Sequence, residues 1–430
     1  MAAIPTIDSE RLWARLMRLA EIGATPDGGV DRQALSDGEA LAWRQMITWG
    51  EEAGLSASTD PVANLFLTLP GEDPSLPPLV IGSHLDTQPT GGKFDGAFGV
   101  VAALEVVSAF AGAGVTGQRD IVVVAWMNEE GSRFAPGMMG SEAFTGKRTV
   151  EQVGAVIDAD GFSVGAEIDR LHGRFPNVPR RPLGFPVFAY IEPHIEQNVL
   201  LEKAGKVIGV VSGIQGKKTF EIEILGDKGH AGTLPMSERR DTVAAFARVA
   251  AKLYDAIPSH AGGGKGETGG KKSDPDPDVR FTIGRVEVFP NAPSVVADRV
   301  RFRIDLRHPD NEVLEALGDL VGTICSTNAA PCDAKVVQLV SAPSNTFDLK
   351  LRDMIAAAAE ARGYPSMPLL SFAGHDARQF ASVAPSAMIF IPCHEGISHS
   401  AKESAEPAHV GAGAQVLCDV IWGLACRGRT

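Results

Sequence analysis

The sequence predicts an α/β protein: a first domain with a mostly parallel sheet and an inserted, ferredoxin-like α+β domain. In the first half, apolar strand segments alternate with helical patterns, as in βαβ units. Between about residues 213 and 340 the order becomes strand, helix, strand, strand, helix, strand, which is the split βαββαβ arrangement. A chain of 430 residues is also too long for one ordinary core. We therefore expect residues 1–212 and 341–430 to form the first domain and residues 213–340 the inserted one.

The first half supplies the helices and strands of the parallel sheet. The N-terminal stretch lacks the basic flank and continuous apolar run of a signal peptide, so we expect an amphipathic helix at about 10–22 instead. The further elements predicted from periodicity are helices at 37–53 and 97–112 and strands at 64–69, 78–83 and 121–127.

The predicted inserted domain has strands in which polar and apolar residues alternate. This pattern is typical of a sheet with one solvated face or with an edge that pairs with a partner. Residues 259–278 are rich in Gly, Lys and Asp and predict a mobile loop without chemistry. The predicted elements are strands at 217–225, 279–288, 299–307 and 334–340 and helices at 239–257 and 311–326.

The composition excludes some classes of protein. The net charge of −13 argues against nucleic-acid binding, because no basic cluster is present to neutralise phosphates. No stretch reaches the apolar length of a membrane span. The five cysteines show no CxxC spacing, so we expect reduced thiols in a cytoplasmic protein.

Potential metal ligands follow the predicted strand at 78–83. The strand leads into His84 and Asp86, and Asp95 follows after a glycine-rich loop. Imidazole nitrogen and carboxylate oxygen suit zinc or manganese. Taken alone, this pattern is more typical of side chains that bind the backbone of their own loop.

A pair of adjacent carboxylates, Glu129 and Glu130, follows the strand at 121–127. Neighbouring carboxylates repel each other unless a cation lies near them. A metal ion would bind one of them and leave the other to handle protons, whereas an isolated Glu-Glu pair is usually a solvated turn.

Two later strands end in the same way, so four predicted strand ends each deliver His, Asp or Glu. His194 follows a strand at 188–191, and His399 follows one at 387–391. In open α/β sheets, ligands bind beyond the carboxyl ends of the strands. The four ends together therefore predict a metal site.

Several motifs between residues 82 and 403 resemble one branch of a known family. They are GSHLDTQPTGGKFDG, NEEGSRF, EPHIEQ, GHAGTLPM, IDLRHPD, AGHDA and GISHS. Together they resemble the hydantoinase/carbamoylase branch of the M20 metallopeptidase family, which comprises N-carbamoyl-L-amino-acid hydrolases, β-ureidopropionases and allantoate amidohydrolases.

The resemblance implies a site for two divalent metal ions. His84 and His194 would bind one ion, Glu130 and His399 the other, and Asp95 would bridge them. Zn²⁺ is the expected ion, and Mn²⁺, Co²⁺ or Ni²⁺ suit the same ligands. The family also implies a homodimer in which the inserted domain is both lid and dimerisation domain.

The resemblance assigns further roles. Asp86 would orient His84, Glu129 would be the general base, and His230 would stabilise the oxyanion. Arg307 would hold the substrate carboxylate through its planar guanidinium. The other implied substrate contacts are Gln197, Lys217, Asn291, Ser294 and Gly374, and His375 and Asp376 are expected to shape their loop.

Two positions depart from the family pattern. Ser294 stands where asparagine is usual, so water or nearby Asn291 would fill its polar role. Asn198 replaces the glycine of HIEQG. Both departures concern the substrate rather than the metals.

The expected activity is hydrolysis of the carbamoyl C–N bond of a small molecule, an N-carbamoyl amino acid, to the amino acid, ammonia and carbon dioxide. The alternatives are an allantoate or N-acyl-amino-acid amidohydrolase, a metallo-exopeptidase and a non-catalytic binding protein. The intact ligand set and Glu129 argue against the last of these.

Overall fold

The computed structural model describes residues 3–261 and 279–426. By contacts the chain divides into two compact units, one formed by Met1–Gly213 with Thr346–Thr430 and the other by Ile214–Asn345. Most of the loop predicted at 259–278 lies outside the described residues.

The described residues form helices and strands in both units. The helices are α1 (Ser9–Ala20), α2 (Asp37–Glu52), α3 (Ala97–Gly112), α4 (Met139–Phe144), α5 (Val150–Gly154), α6 (Val164–Arg174), α7 (Leu200–Ala204), α8 (Thr242–Ala261), α9 (Asn311–Asn328), α10 (Leu349–Ala361), α11 (Ala377–Phe380) and α12 (Pro407–Cys426). The strands are β1 (Ser56–Thr59), β2 (Leu65–Leu69), β3 (Leu79–His84), β4 (Ile121–Trp126), β5 (Ala189–Ile195), β6 (Ile208–Ile214), β7 (Gly216–Leu225), β8 (Gly229–His230), β9 (Arg280–Phe289), β10 (Val295–Val296), β11 (Arg299–His308), β12 (Asp333–Ala342), β13 (Asn345–Thr346), β14 (Ser366–Ser371) and β15 (Ser386–Ile391).

The first unit is built on a nine-stranded sheet in the order β1-β2-β4-β3-β5-β15-β6-β13, with β14 also paired to β6. The four central strands β4, β3, β5 and β15 are parallel. The flanking strands β2 and β6 run antiparallel to them. The prediction of a mostly parallel central sheet is confirmed, and the carboxyl ends of the four parallel strands lie along one edge.

Helix α3 follows the loop after β3 and has the bounds that the sequence predicts. Its residues from Ala97 to Phe110 are all buried, because the helix packs against β3, α1 and α12. The buried carboxylate of Glu105 is paired with Arg11 of α1 at 2.7 Å. A buried charge of this kind is stable only with such a partner.

The expectation that no stretch is long and apolar enough to span a membrane is wrong for helix α12, the one helix of the described residues that could do so by length and composition. In the structure 72% of its apolar stretch is buried within the protein. This burial is typical of a core helix.

The second unit contains an antiparallel sheet in the order β12-β7-β11-β9. Helices α8 and α9 contact this sheet and each other. Alternate residues of β7 and β11, such as Phe220 and Phe302, are buried together with Val249 and Val321 of the helices. The chain order of these elements is the βαββαβ arrangement, with two short strands, β8 and β10, added.

The structure corrects the predicted end of one strand of the first unit. β5 continues to Ile195, so His194 lies inside the strand and not after it. Pro193 has no amide to donate and made the strand seem to end early. Strands β1, β6, β13 and β14 and helices α4 to α7 and α10 to α12 are not among the elements predicted from the sequence.

Candidate metal centre

The carboxyl ends of the parallel strands bring five side chains together. β3 ends at His84, the turn after β4 carries Glu130, and β5 contains His194. Asp95 lies between β3 and α3, and His399 lies in the loop after β15. These five residues form two groups that share Asp95.

The first group consists of His84, Asp95 and His194, whose ligand atoms lie within 4.8 Å of one another. Asp95 Oδ1 is 3.1 Å from His194 Nε2 and 3.6 Å from His84 Nε2. Each ring's Nδ1 lies 2.9 Å from a main-chain carbonyl, that of Asp86 or Ile195, to which it donates. The Nε2 atom of each ring is therefore the one that can bind a metal.

The second group consists of Asp95, Glu130 and His399, again within 4.8 Å. His399 Nε2 lies 3.3 Å from both Asp95 Oδ2 and Glu130 Oε2. Asp95 thus presents Oδ1 to the first group and Oδ2 to the second, which is the arrangement that a bridging carboxylate requires.

The electrostatics of the protein alone fit two cations. Burial, and then the charge of Asp95, raise the pKa of Glu130 to about 8. Burial lowers the pKa of His84 to about 4, so its imidazole is neutral. Burial also disfavours the charge of Asp95, but hydrogen bonds to His194 and His399 hold its pKa well below the ordinary value. Crowded buried carboxylates beside imidazole nitrogens are the donors that zinc and similar divalent ions bind.

Glu129 lies beside these groups but belongs to neither of them. Its Oε2 is 3.6 Å from His84 Nε2. Burial, followed by the charges of Asp376 and Glu130, raises the pKa of Glu129 well above its ordinary value. A carboxylate with a raised pKa is suited to accept and return a proton.

Asp86 contacts both His84 and the Glu129–Glu130 turn. Its carboxylate accepts the main-chain amides of Glu129 at 3.2 Å and Glu130 at 3.1 Å. It is the main-chain carbonyl of Asp86, and not the carboxylate, that accepts from His84 Nδ1, because Oδ1 is 3.7 Å away. Asp86 therefore orients His84 through its backbone and fixes the Glu129–Glu130 turn through its side chain.

Two of the predicted substrate contacts, Gln197 and Gly374, lie in the first unit. Gln197 donates from Nε2 to Asp95 Oδ2 at 2.7 Å, and its buried Oε1 has no partner among the described residues. Gly374 packs beside Met138. The ring of buried His375 lies 4.4 Å from that of His194, centroid to centroid.

Three charged or titratable residues with predicted roles lie in the second unit. His230 is exposed, and its Nδ1 accepts the amide of Gly232 at 3.1 Å. Arg307 donates from Nε to Asp305 Oδ1 at 2.7 Å and from Nη2 to Oδ2 at 3.2 Å. Lys217 Nζ lies 3.0 Å from the same carboxylate, so both cations bind Asp305.

Asn291 and Ser294 lie near His230 within the second unit. Asn291 lines a cavity of about 390 Å³ and has a positive φ of 57°. The main-chain oxygen of Ser294 accepts the amide of Ala231, which follows His230, at 3.0 Å. Ser294 therefore contacts the His230 loop through its backbone.

Sequence reasoning missed several residues that contact the two groups, among them Gln88, Ser398 and Glu403. Gln88 donates from Nε2 to Glu130 Oε2 at 2.8 Å, and Ser398 donates to Asp95 Oδ2 at 2.7 Å. Glu403 accepts the amide of Asp95 at 3.0 Å. The position of Ser398 next to His399 is a local signal that it lies at the site. The contact between Glu403 and Asp95 joins residues 308 positions apart and leaves no such signal in the sequence.

Comparisons with known proteins identify relatives over nearly the whole chain. The model of peptidase family M20/M25/M40 matches residues 80–423. The chain is 38% identical to an N-carbamoyl-L-amino-acid amidohydrolase of Rhizobium meliloti, over 96% of each chain. It is 32% identical to an allantoate amidohydrolase of Escherichia coli (strain K12), over 95% of this chain and 96% of that one.

A solved structure supports the same relationship. An amidase of the hydantoinase/carbamoylase family from Burkholderia multivorans superposes with a TM-score of 0.83 at 39% identity and covers 99% of each chain. The chain belongs to peptidase family M20/M25/M40 and is an amidohydrolase.

Proposed function

We propose that this amidohydrolase uses two divalent metal ions to hydrolyse the carbamoyl C–N bond of an N-carbamoyl amino acid. Cleavage of this bond leaves a carbamic acid, which decomposes, so that the final products are the amino acid, ammonia and carbon dioxide. The observation that carries the proposal is the position of Asp95, whose two carboxylate oxygens face two separate ligand groups. The 38% identity to the Rhizobium meliloti enzyme supports this choice of substrate.

The residues of the two groups would hold the metals. His84 and His194 would hold one ion, Glu130 and His399 would hold the other, and Asp95 would bind both. When bound, such a pair polarises the amide carbonyl and lowers the pKa of a water molecule. Zn²⁺ is the ion proposed, although Mn²⁺, Co²⁺ and Ni²⁺ suit the same nitrogen and oxygen donors.

Glu129 is the proposed general base. Its carboxylate takes a proton from the attacking water as the oxygen bonds to the carbamoyl carbon. It then passes the proton to the nitrogen that departs when the C–N bond breaks. Its proximity to His84 and its place outside both ligand groups support this role.

The second unit supplies two further proposed roles. His230 donates to the oxygen that becomes negative in the tetrahedral intermediate. Arg307 holds the substrate carboxylate. Its bidentate contact with Asp305 supports this role, because it shows the guanidinium binding both oxygens of a carboxylate. The other proposed substrate contacts are Gln197, Lys217, Asn291, Ser294 and Gly374.

We further propose that the inserted domain acts as a lid and forms a homodimer, and that the protein is cytoplasmic. The alternating polar and apolar residues of β7 and β11 leave one face of that sheet for charged groups.

All five cysteines are free thiols, which supports a reducing compartment.

Allantoate is the second candidate substrate. The 32% identity to the Escherichia coli allantoate amidohydrolase favours it, and Ser294 and Asn198 stand at positions where the substrate would be distinguished.

A substrate panel tests the proposal. The metal-reconstituted protein is incubated with N-carbamoyl α-amino acids, N-carbamoyl β-amino acids, allantoate, N-acetyl amino acids and dipeptides, and both ammonia and amino acid are measured. We expect N-carbamoyl amino acids to give the highest kcat/KM. A higher value for allantoate or dipeptides would overturn the substrate assignment, and hydrolysis of none of them would overturn the activity.

A further inference from the structure

Glu403 is a buried carboxylate for which the proposed function has no role. It lies in the loop between His399 and α12 and is 3% exposed. Its Oε1 accepts the main-chain amides of Phe94 at 2.8 Å and Asp95 at 3.0 Å. Its Oε2 lies 3.2 Å from Ser398 Oγ, which itself donates to Asp95 Oδ2 at 2.7 Å. Glu403 therefore holds the backbone of Asp95 directly, and its other oxygen lies beside the hydroxyl that donates to the Asp95 carboxylate.

We propose that Glu403 is a positioning residue that sets the affinity of the metal pair by fixing Asp95. This inference rests on the metal binding of the proposed function but not on its substrate. A carboxylate that serves two ions has to hold both oxygens in place at once. Residues that orient metal ligands in this way commonly contribute strongly to metal affinity.

Gly92 gives a second, independent indication of this fit. A Cβ at Gly92 would lie 2.2 Å from both Cδ and Oε1 of Glu403. The backbone at Gly92 does not have the positive φ that would by itself require glycine. The absence of a side chain thus provides the space that Glu403 needs to reach the amides of the loop before α3.

A purely structural contact between distant chain segments is the competing explanation. Asp60 offers a matched comparison, because it is equally buried and its Oδ1 accepts two amides, those of Val62 and Asn64, both at 3.0 Å. Neither of these partners is a candidate metal ligand. Removing the Asp60 carboxylate therefore leaves two main-chain amides without their acceptor, as removal of Glu403 does, but it does not loosen Asp95.

The experiment compares the full-length variants Glu403→Ala, Glu403→Gln, Gly92→Ala and Asp60→Ala with the unchanged protein. Dissociation constants for Zn²⁺ and Co²⁺ are measured by chelator competition, the visible absorption of the Co²⁺ form is recorded, and the Tm of the metal-free protein is determined. These readouts require no substrate.

We expect Glu403→Ala and Gly92→Ala to weaken binding of at least one ion about 10- to 100-fold and to change the Co²⁺ spectrum. Glu403→Gln keeps an oxygen that accepts both amides and should recover most of the affinity. Asp60→Ala should lower the Tm while leaving both affinities within about twofold.

Unchanged affinities in folded Glu403→Ala would overturn the inference, as would an equal loss in Asp60→Ala. If Glu403→Ala does not fold, Gly92→Ala tests the inference instead, and unchanged metal affinity in that variant would overturn it. A protein that binds metal as expected but hydrolyses no carbamoyl substrate would contradict the proposed function alone.

Discussion

Gly96 lies directly against the imidazole of His84: a Cβ at Gly96 would be 2.3 Å from the ring's Cε1. Its φ of +62° also favours glycine. We predict that Gly96→Ala displaces the ring of His84 and removes metal from the first group, as measured by elemental analysis after dialysis.

Gly146 provides the control for this substitution. It has a φ of +76°, and a Cβ there would meet nothing within 4 Å. Gly146→Ala should cost about 1 kcal/mol in the free energy of unfolding, from backbone conformation alone, and should keep the full metal content. Full metal content in Gly96→Ala would show that His84 tolerates the displacement.

Replacing the proposed base should separate metal binding from turnover. Glu129→Gln removes the proton acceptor but no metal ligand, so we expect unchanged metal content and a fall in kcat of about 10²- to 10⁴-fold. The measurements are elemental analysis and ammonia release. Undiminished turnover would exclude Glu129 as the base.

Removal of the metals should abolish hydrolysis. After dialysis against a chelator we expect no activity, and added Zn²⁺ or Mn²⁺ should restore it. Metal at 100 times its Kd should also stabilise the folded protein by about 2.7 kcal/mol per site, seen as a higher Tm. Full activity of the metal-free protein would contradict the two-metal proposal.

The proposed carboxylate clamp predicts a change in substrate binding. Arg307→Lys loses the planar fork, so KM for an N-carbamoyl amino acid should rise about 10- to 100-fold, as expected for a charged hydrogen bond. Arg303→Lys, on the same strand and paired with Glu221, is the control. An equal rise in both variants would argue against a specific role for Arg307.

Asp60 should make the stability of the first unit depend on pH. Burial raises its pKa from 3.8 to about 6, so between these values the folded state binds more protons than the unfolded state. The contribution of Asp60 to stability is therefore full below pH 3.8 and is lost as the pH rises through about 6. Relative to Asp60→Asn, the metal-free protein should lose about 3 kcal/mol across this range.

Urea unfolding at several pH values checks this prediction. All five tryptophans lie in the first unit, so their fluorescence reports its unfolding. Parallel pH curves for the two proteins would mean that Asp60 titrates normally.

The sequence predicts the central sheet well because its strands are continuous apolar runs, as in Ile121–Trp126. It also places polar residues at the ends of parallel strands, and sheet geometry then brings them to one edge. Asp95 and His399 meet within 3.3 Å for this reason, although 304 residues separate them in the chain.

What could not be predicted depends on the direction of side chains and on contacts between distant loops. The sequence cannot tell whether the carbonyl or the carboxylate of Asp86 accepts from His84, because both groups lie in the same turn and close to the ring. Glu403 also carries no local signal, since the loop that it holds lies in a different part of the chain. Pro193 concealed the end of β5 because proline normally marks a strand boundary.

The interrupted chain of the first unit has a consequence for its synthesis. Strand β15 lies between β5 and β6 in the sheet but comes after the whole second unit in the chain. Until Ser386–Ile391 has left the ribosome, β5 and β6 lack the strand that lies between them, and His399 has not yet been made. The second unit can complete its own sheet first, whereas the earlier part of the first unit keeps strand edges with unpaired N–H and C=O groups until β15 is made.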